Sequence, residues 1–268
     1  MLIGLGAALA VAFVVAPPTL AAGGSDSDLV GSRHLVAAFR GAFVDYWSAG
    51  KRDLSPDLQR IVDYWFRFHV AKAVIAALLL IVLVRLGVLL WKAYLRAGGL
   101  RAAGRAALAA GGVLVTMLAV FALTVVMANI QGAIKPLSSL LPMLMESPAD
   151  GRLADALEQI RQRLADSPGG GELTPPPLDA MIRDYSQSHL VMVVVAAIVA
   201  VVLIGMSVVS WRRFASTGST ERRTRRVCGS FGVLFAVLAL AAIVVVVANA
   251  GTVADPMPGF SAFFNGSW

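Results

Sequence analysis

The chain has one cysteine and three histidines in 268 residues, and its four longest apolar runs contain no Asp or Glu. A lone thiol, Cys228, excludes an intrachain disulfide and reads as a packing residue. With so few imidazoles and thiols and only 15% charged residues, most metal-cluster and acid–base sites lack the groups they need. The sequence holds no Gly-rich phosphate loop, no His-Glu-x-x-His, no Cys-x-x-Cys and no Gly-x-Ser-x-Gly. No catalytic residue and no metal-ligand set is assigned, no cofactor is expected, and the chain is not read as an enzyme. Coupled transporters usually place carboxylates in their spans, and these runs have none.

Apolar surface is what the sequence has in excess. It is 58% apolar with a mean hydropathy of +0.76, against about 45–50% apolar and about 25% charged for globular chains, so the class is a polytopic membrane protein. The net charge of +7 is not a nucleic-acid signal, because basic residues of such chains gather in cytoplasmic loops. The expected partners are the lipid bilayer and a second copy or other membrane proteins, not nucleic acid.

Crossing the hydrocarbon takes roughly 20 apolar residues in a helix, and Val70–Leu90, Ala106–Ala128, Leu190–Trp211 and Val227–Ala248 qualify. Leu2–Val15 is shorter and is followed by Pro17, Pro18 and Thr19-Leu20-Ala21-Ala22. It reads as a signal peptide cut after Ala21, or as an uncleaved N-terminal helix. The loop Lys92–Arg105 carries four basic residues and no acid, and Arg212–Arg226 carries six Arg and one Glu. Both are therefore cytoplasmic, while the balanced or acidic stretches 23–67 and 129–188 and the C-terminal tail face outward.

Sliding the sequence on itself by 120 residues pairs His69 with His189, Trp91 with Trp211, Asn129 with Asn249 and Pro136 with Pro256, without a gap. These are rare residues in an apolar chain. The shift also pairs Leu58 with Leu178, Gly98 with Gly218, Arg105 with Arg225, and Gly112-Val113-Leu114 with Gly232-Val233-Leu234. The expected fold is an all-α, four-transmembrane-helix bundle of two tandem helical hairpins with short outer amphipathic helices. An even number of spans per copy places any pseudo-two-fold axis along the membrane normal. The order is 1–22 signal peptide or helix, 23–57 outer amphipathic segment, 58–141 first membrane repeat, 142–177 outer loop with an amphipathic helix, 178–261 second membrane repeat, and 262–268 outer tail.

Local signals fill in the outer parts. Ser55-Pro56 and Thr174 with Pro175, Pro176 and Pro177 supply a cap and a first-turn proline ahead of the first and third spans. Tyr64, Trp65, Phe66 and Phe68 then read as an outer aromatic belt, with Trp91 and Trp211 at the inner interface. Ser147-Pro148-Ala149-Asp150 has the form of a capping box. Leu153, Leu157, Ile160 and Leu164 follow at helical spacing and make one apolar stripe, ended near Pro168-Gly169-Gly170. A similar helix is expected from about Ser32 to Tyr46.

The candidate site residues are few. His69 and His189 stand at corresponding outer ends of two spans and could hold a haem iron or a copper ion between them, or could each be an interfacial ring. Asn129 and Asn249 end the outward spans and read as C-terminal caps, or as a polar outer site together with Lys72. Lys72 and Arg85 are the charges within a span, and both are long enough to snorkel. Ala103, Ala107 and Gly111, and Gly229 with Gly232, offer small-residue rows for close helix packing. Asn265-Gly266-Ser267 matches a glycosylation sequon. Phe260, Phe263, Phe264 and Trp268 make the tail too apolar to hang in water, so it should lie in the headgroup layer or dock on the bundle.

On these grounds the chain is expected to be a non-enzymatic protein of a bacterial cytoplasmic membrane, an interaction or assembly subunit acting through its outer loops. A small channel or transporter with a path between the repeats, and a haem or metal carrier using His69 and His189, are the alternatives.

Overall fold

The computed structural model describes residues 1–24, 26–99, 101–146, 149, 151–166 and 174–266. Its elements are helical: α1 (Leu2–Ala22), α2 (Ser32–Ala49), α3 (Pro56–Arg96), α4 (Ala102–Ile134), α5 (Pro136–Leu140), α6 (Gly151–Asp166), α7 (Pro176–Ser216), α8 (Arg222–Ala254) and α9 (Pro256–Phe264). Two short 3-10 turns, Ser27–Leu29 and Leu141–Leu144, complete the described set, and there is no strand among these residues. Five helices, α1, α3, α4, α7 and α8, are long and apolar enough to cross a membrane. The N-terminal run thus stands as a continuous helix of its own through Pro17 and Pro18.

Prolines set the helix boundaries. Pro56 opens α3 and the Leu58 N–H donates to Ser55 Oγ at 3.3 Å, an N-cap followed by a first-turn proline. At the other end, α4 stops at Ile134 and α8 at Ala254, and Pro136 and Pro256 each start a new short helix. A proline there removes a helical N–H and forces the chain to turn. The bounds recur at one spacing: α3 and α7 start at 56 and 176 with 41 residues each, α4 and α8 start at 102 and 222 with 33 each, and α5 and α9 start at 136 and 256.

The chain forms two compact units. One, the span unit, comprises Met1–Ala12, Val74–Met127 and Met192–Ala248. Most of its inward positions are small, with Ala76, Ala122, Ala196, Ala200, Ala239 and Ala242 buried beside Val82, Leu83, Val115 and Leu203. The closest approaches involve glycine. An alanine methyl at Gly112 would come within 2.9 Å of the Trp91 ring, and one at Gly232 within 2.9 Å of Trp211. Trp91 Nε1 also donates to Thr116 Oγ1 at 3.3 Å, and Arg225 lies 4.6 Å from the centre of the Phe214 ring. Ala103 and Ala107 of the small-residue row make no close packing within the chain, where both are exposed. Gly111 makes only ordinary contact with Leu90, whereas Gly229 and Gly232 meet Phe214 and Trp211 closely. Arg85 is exposed on α3.

The second, the head unit, comprises Phe13–Ala73, Ala128–Val191 and Asn249–Trp268. It has an ordinary large-residue core: Phe39, Phe43 and Tyr46 of α2, Leu58 and Tyr64 of α3, Leu157 and Ile160 of α6, Met181 of α7, and Phe260 and Phe264 of α9 are all almost fully buried. The apolar stripe of α6 is inside, with Leu153, Leu157, Ile160 and Leu164 buried. The capping box ahead of it and its Pro-Gly end fall at Ser147, Pro148, Asp150 and 168–170, outside the described residues. Of the four aromatics expected at the outer belt, Phe66 is 47% exposed, while Tyr64 is 2% exposed and Trp65 and Phe68 pack part-buried against the core.

Polar ties fix the head unit. The Tyr46 hydroxyl donates to the carbonyls of Arg52 and Pro177 at 3.3 and 3.5 Å. Burial, with Asp184 and Asp53 adding, pushes that phenol up to about 12 against the opposing pull of Arg52. Asp26 is 4% exposed and pairs with both Arg60 and Arg67, the arrangement that a buried carboxylate requires. Arg67 also donates through Nε to the Ala21 carbonyl at 2.8 Å. The exposed pairs Arg52–Asp179 and Arg152–Asp45 contribute little, about 0–1 kcal/mol each.

Candidate functional site

Each half of the chain brings one histidine to one asparagine. His69 near the middle of α3 meets Asn129 of α4, with Nδ1 3.0 Å from Asn129 Oδ1. His189 of α7 meets Asn249 of α8 in the same way at 2.7 Å. An amide oxygen has no proton to give, so each ring must donate from Nδ1. That leaves Nε2 of the neutral ring as a lone-pair acceptor. Each imidazole is also held from the side one turn earlier in its own helix. Trp65 lies edge-on to His69 at 4.8 Å, and Tyr185 edge-on to His189 at 4.5 Å.

The asparagines therefore do not close their helices. Helix α4 continues from Asn129 to Ile134 and α8 from Asn249 to Ala254. The cap reading is corrected by the imidazoles: a buried ring N–H needs an acceptor more than a helix end needs a left-handed residue. Lys72 sits over the rings of Phe13 and Phe68, at 4.8 and 5.0 Å, where a desolvated ammonium gains from the ring quadrupole.

Within the head unit the two histidines share a cavity of about 250 Å³. Gln131, Lys135, Ser138, Ser139 and Ser188 supply its polar lining, and Leu141, Pro142, Tyr185 and Phe263 much of its apolar wall. Lys135 enters because Pro136 turns the chain immediately after it. Its ammonium is balanced by Asp184 at 3.3 Å, and it is bonded to Gln187. Asp184 in turn accepts from the Ser138 backbone N–H at 2.9 Å. The lining therefore carries one cation with its own counter-ion.

One polar atom in this region stands alone. Nε2 of His69 is sealed from solvent and has no hydrogen-bond partner among the described residues. An unpaired buried acceptor costs about 1–3 kcal/mol. The ring is held there by close packing, since a Cβ on Gly132 would fall 2.7 to 2.8 Å from three of its atoms. The second half places Thr252 where the first has Gly132, so the two centres share their chemistry but not this contact.

Sequence reasoning finds His69, His189, Asn129 and Asn249 and misses the serines, Gln131 and Lys135. Lys135, Ser138 and Ser139 lie at the turn made by Pro136, Gln131 stands two residues past Asn129 on α4, and Ser188 directly precedes His189 on α7. As for a metal, no group of three or more His, Cys, Asp or Glu side chains is placed to hold one among the described residues. Two imidazoles without a third protein ligand fall short of a zinc or non-haem iron set. No family model matches the chain, and neither a curated protein nor a solved structure matches it.

Proposed function

We propose that this chain is a non-enzymatic receptor of a bacterial cytoplasmic membrane that takes a small ligand into the histidine cavity on its outer side. The observation that carries the reading is that two separate His–Asn pairs, one from each half, open on the same cavity. Preformed pockets of mixed apolar and convergent polar lining are where proteins place ligands. Among the described residues every exposed large apolar side chain other than that of the terminal Met1 lies on α1, α3, α4, α7 or α8. That weakens the alternative of an assembly subunit docking through an apolar outer surface, and leaves contact with a second copy or another membrane protein to the spanning helices.

The fold that goes with this reading is a tandem duplication of a two-span hairpin, residues 58–141 and 178–261, with both basic loops in the cytoplasm and the C-terminus outside. The recurring helix bounds and the aligned rare residues support it. Helix α1 is in this reading a retained fifth span rather than a cleaved signal. Cutting after Ala21 would remove a fully buried residue and the carbonyl that Arg67 holds. Intact-mass measurement of the protein from membranes should then give the chain with residues 1–22 still attached; a mature mass starting at Ala22 would sink that part.

The receptor reading is tested by reagent access. Diethylpyrocarbonate added to intact cells should carbethoxylate His189, and Ser138→Trp, which fills the cavity, should shield it. A His189 that reacts equally in both, or only after the membrane is opened, would show that no outward cavity exists.

A further inference from the structure

Basic charge is shared unevenly between the two halves of the chain. Arg212 and Arg213 stand near the end of α7, and Arg222, Arg223, Arg225 and Arg226 in the first turns of α8, with only residues 217–221 between the helices. Under the 120-residue shift Arg212 and Arg225 match Lys92 and Arg105, whereas Arg213, Arg222, Arg223 and Arg226 match Ala93, Ala102, Ala103 and Ala106. Orientation in a membrane asks only for a basic loop, and the first half meets that with Lys92, Arg96, Arg101 and Arg105. The arginines peculiar to the second half need another cause.

Local packing draws them into one patch. The Arg225 guanidinium lies 4.6 Å from the centre of the Phe214 ring, and a Cβ on Gly229 would come 3.2 Å from the same ring, so the first turns of α8 lie against the last of α7. The connection is tightly turned. Thr217 donates to the Arg213 carbonyl through its N–H at 3.0 Å and its hydroxyl at 2.6 Å, and the Glu221 N–H donates to the Gly218 carbonyl at 3.1 Å. Arg223 is half-buried and the other arginines are exposed. None of the six joins an ion pair among the described residues, whereas Arg52, Arg60, Arg67, Arg152, Arg161 and Arg183 of the head unit all do.

Such a patch is self-repelling, and the arginines of α8 also sit at the positive end of the helix macrodipole, where a cation is disfavoured. An oxyanion relieves both. Phosphate oxygens take a guanidinium fork in two parallel bonds, and the backbone N–H groups of a first helical turn, which have no partner within the helix, point at an anion placed there. The surroundings say which phosphate. Val208, Val209 and Trp211 of α7 and Val233 of α8 are exposed beside the arginines, so the anion site runs straight into an apolar strip long enough to cross a membrane. A molecule with a phosphate at one end and acyl chains at the other covers both, while a soluble anion covers the first alone.

We propose that the joined ends of α7 and α8 bind the phosphate headgroup of an anionic phospholipid, whose acyl chains lie along the exposed faces of the two helices. The site is separate from the histidine cavity and stands on either orientation of the chain.

The test compares lipids and then loops. Full-length protein is reconstituted into phosphatidylcholine vesicles at low salt, with a trace of spin-labelled phosphatidylglycerol or of spin-labelled phosphatidylcholine, and the motionally restricted fraction of each label is read by electron spin resonance. The unmodified chain should hold the phosphatidylglycerol label about fivefold more strongly. Combining Arg213→Ala, Arg222→Ala, Arg223→Ala and Arg226→Ala should remove most of that preference. Combining Lys92→Ala, Arg96→Ala, Arg101→Ala and Arg105→Ala removes the same charge and should leave most of it. Equal losses in the two variants would show bulk attraction without a site and overturn the proposal. So would equal restriction of both labels by the unmodified chain, a comparison that needs no variant to fold. Inorganic phosphate, added against chloride at matched ionic strength, should displace the phosphatidylglycerol label no better than chloride does; selective displacement would assign the patch to the free anion and overturn the lipid assignment.

Discussion

Replacing Gly132 with alanine is expected to destabilise the protein by about 1–3 kcal/mol. The new methyl would lie within 2.8 Å of Cε1, Nδ1 and Nε2 of His69, so either the ring or helix α4 must move. The ring is poorly placed to yield. Asn129 holds its Nδ1, and Trp65 and Phe68 stand edge-on to it at 4.8 and 5.7 Å. Moving it forfeits the hydrogen bond as well as the contact, which is why the larger end of the range is expected. The proper control is Gly205→Ala, where nothing lies within 4 Å of the added carbon. In a helix interior that exchange should be neutral or stabilising, by up to about 1 kcal/mol. Thermal unfolding of the three proteins in one detergent decides the matter. A Gly132→Ala protein that melts with the parent would mean that the His69 ring is free to swing.

Much of this centre is within reach of the sequence, and there is a physical reason why only half of it is found there. His69 directly precedes the apolar run 70–90 and Asn129 directly follows 106–128, so a hairpin of the two helices brings them to one level, and His189 and Asn249 repeat the relation at the same separation of 60 residues. Reading the histidines against each other and the asparagines as helix ends misses the simpler pairing across each hairpin. Helix bounds at Pro56, Pro136, Pro176 and Pro256 are legible because proline acts locally. The fate of Tyr64 and Trp65 is not. Whether an aromatic at the end of a span meets headgroups or protein depends on α2, α6 and α9, which come from distant parts of the chain. The ring beneath Lys72 is hidden for the same reason, since Phe13 is 59 residues away on α1. The cavity belongs to this class of feature in part, because Ser138 and Ser139 reach it only where Pro136 turns the chain, whereas Gln131 and Ser188 stand beside Asn129 and His189 in the sequence.

The tail carries the largest expected effect. Phe260 and Phe264 are 0% and 1% exposed, and their rings meet at a tilt with centres 5.0 Å apart. Phe260 also meets Tyr185, the aromatic that braces His189, at 5.3 Å. Helix α9 lies against α6, where Arg161 Nε donates to the Phe264 carbonyl at 2.9 Å and so satisfies the last turn of the helix. The apolar tail is therefore docked, and it is docked onto the element that positions one of the two imidazoles. Phe260→Ala should cost about 3–5 kcal/mol, the usual result of emptying a large buried site. Arg161→Ala should cost less, about 1–3 kcal/mol, because it removes one charge-assisted bond at a partly exposed position. The two substitutions also act differently on the histidines. Loss of Phe260 unseats Tyr185 and should expose His189 to diethylpyrocarbonate beyond its parent level, while leaving His69 as it was. Arg161→Ala should loosen α9 without that selectivity. Removing residues 258–268 should reproduce the Phe260→Ala phenotype and open α6 to protease. If the truncated protein keeps the parent's melting temperature and His189 reactivity, α9 is an ornament on the head unit, and the burial of its two phenylalanines contributes nothing to holding the site together.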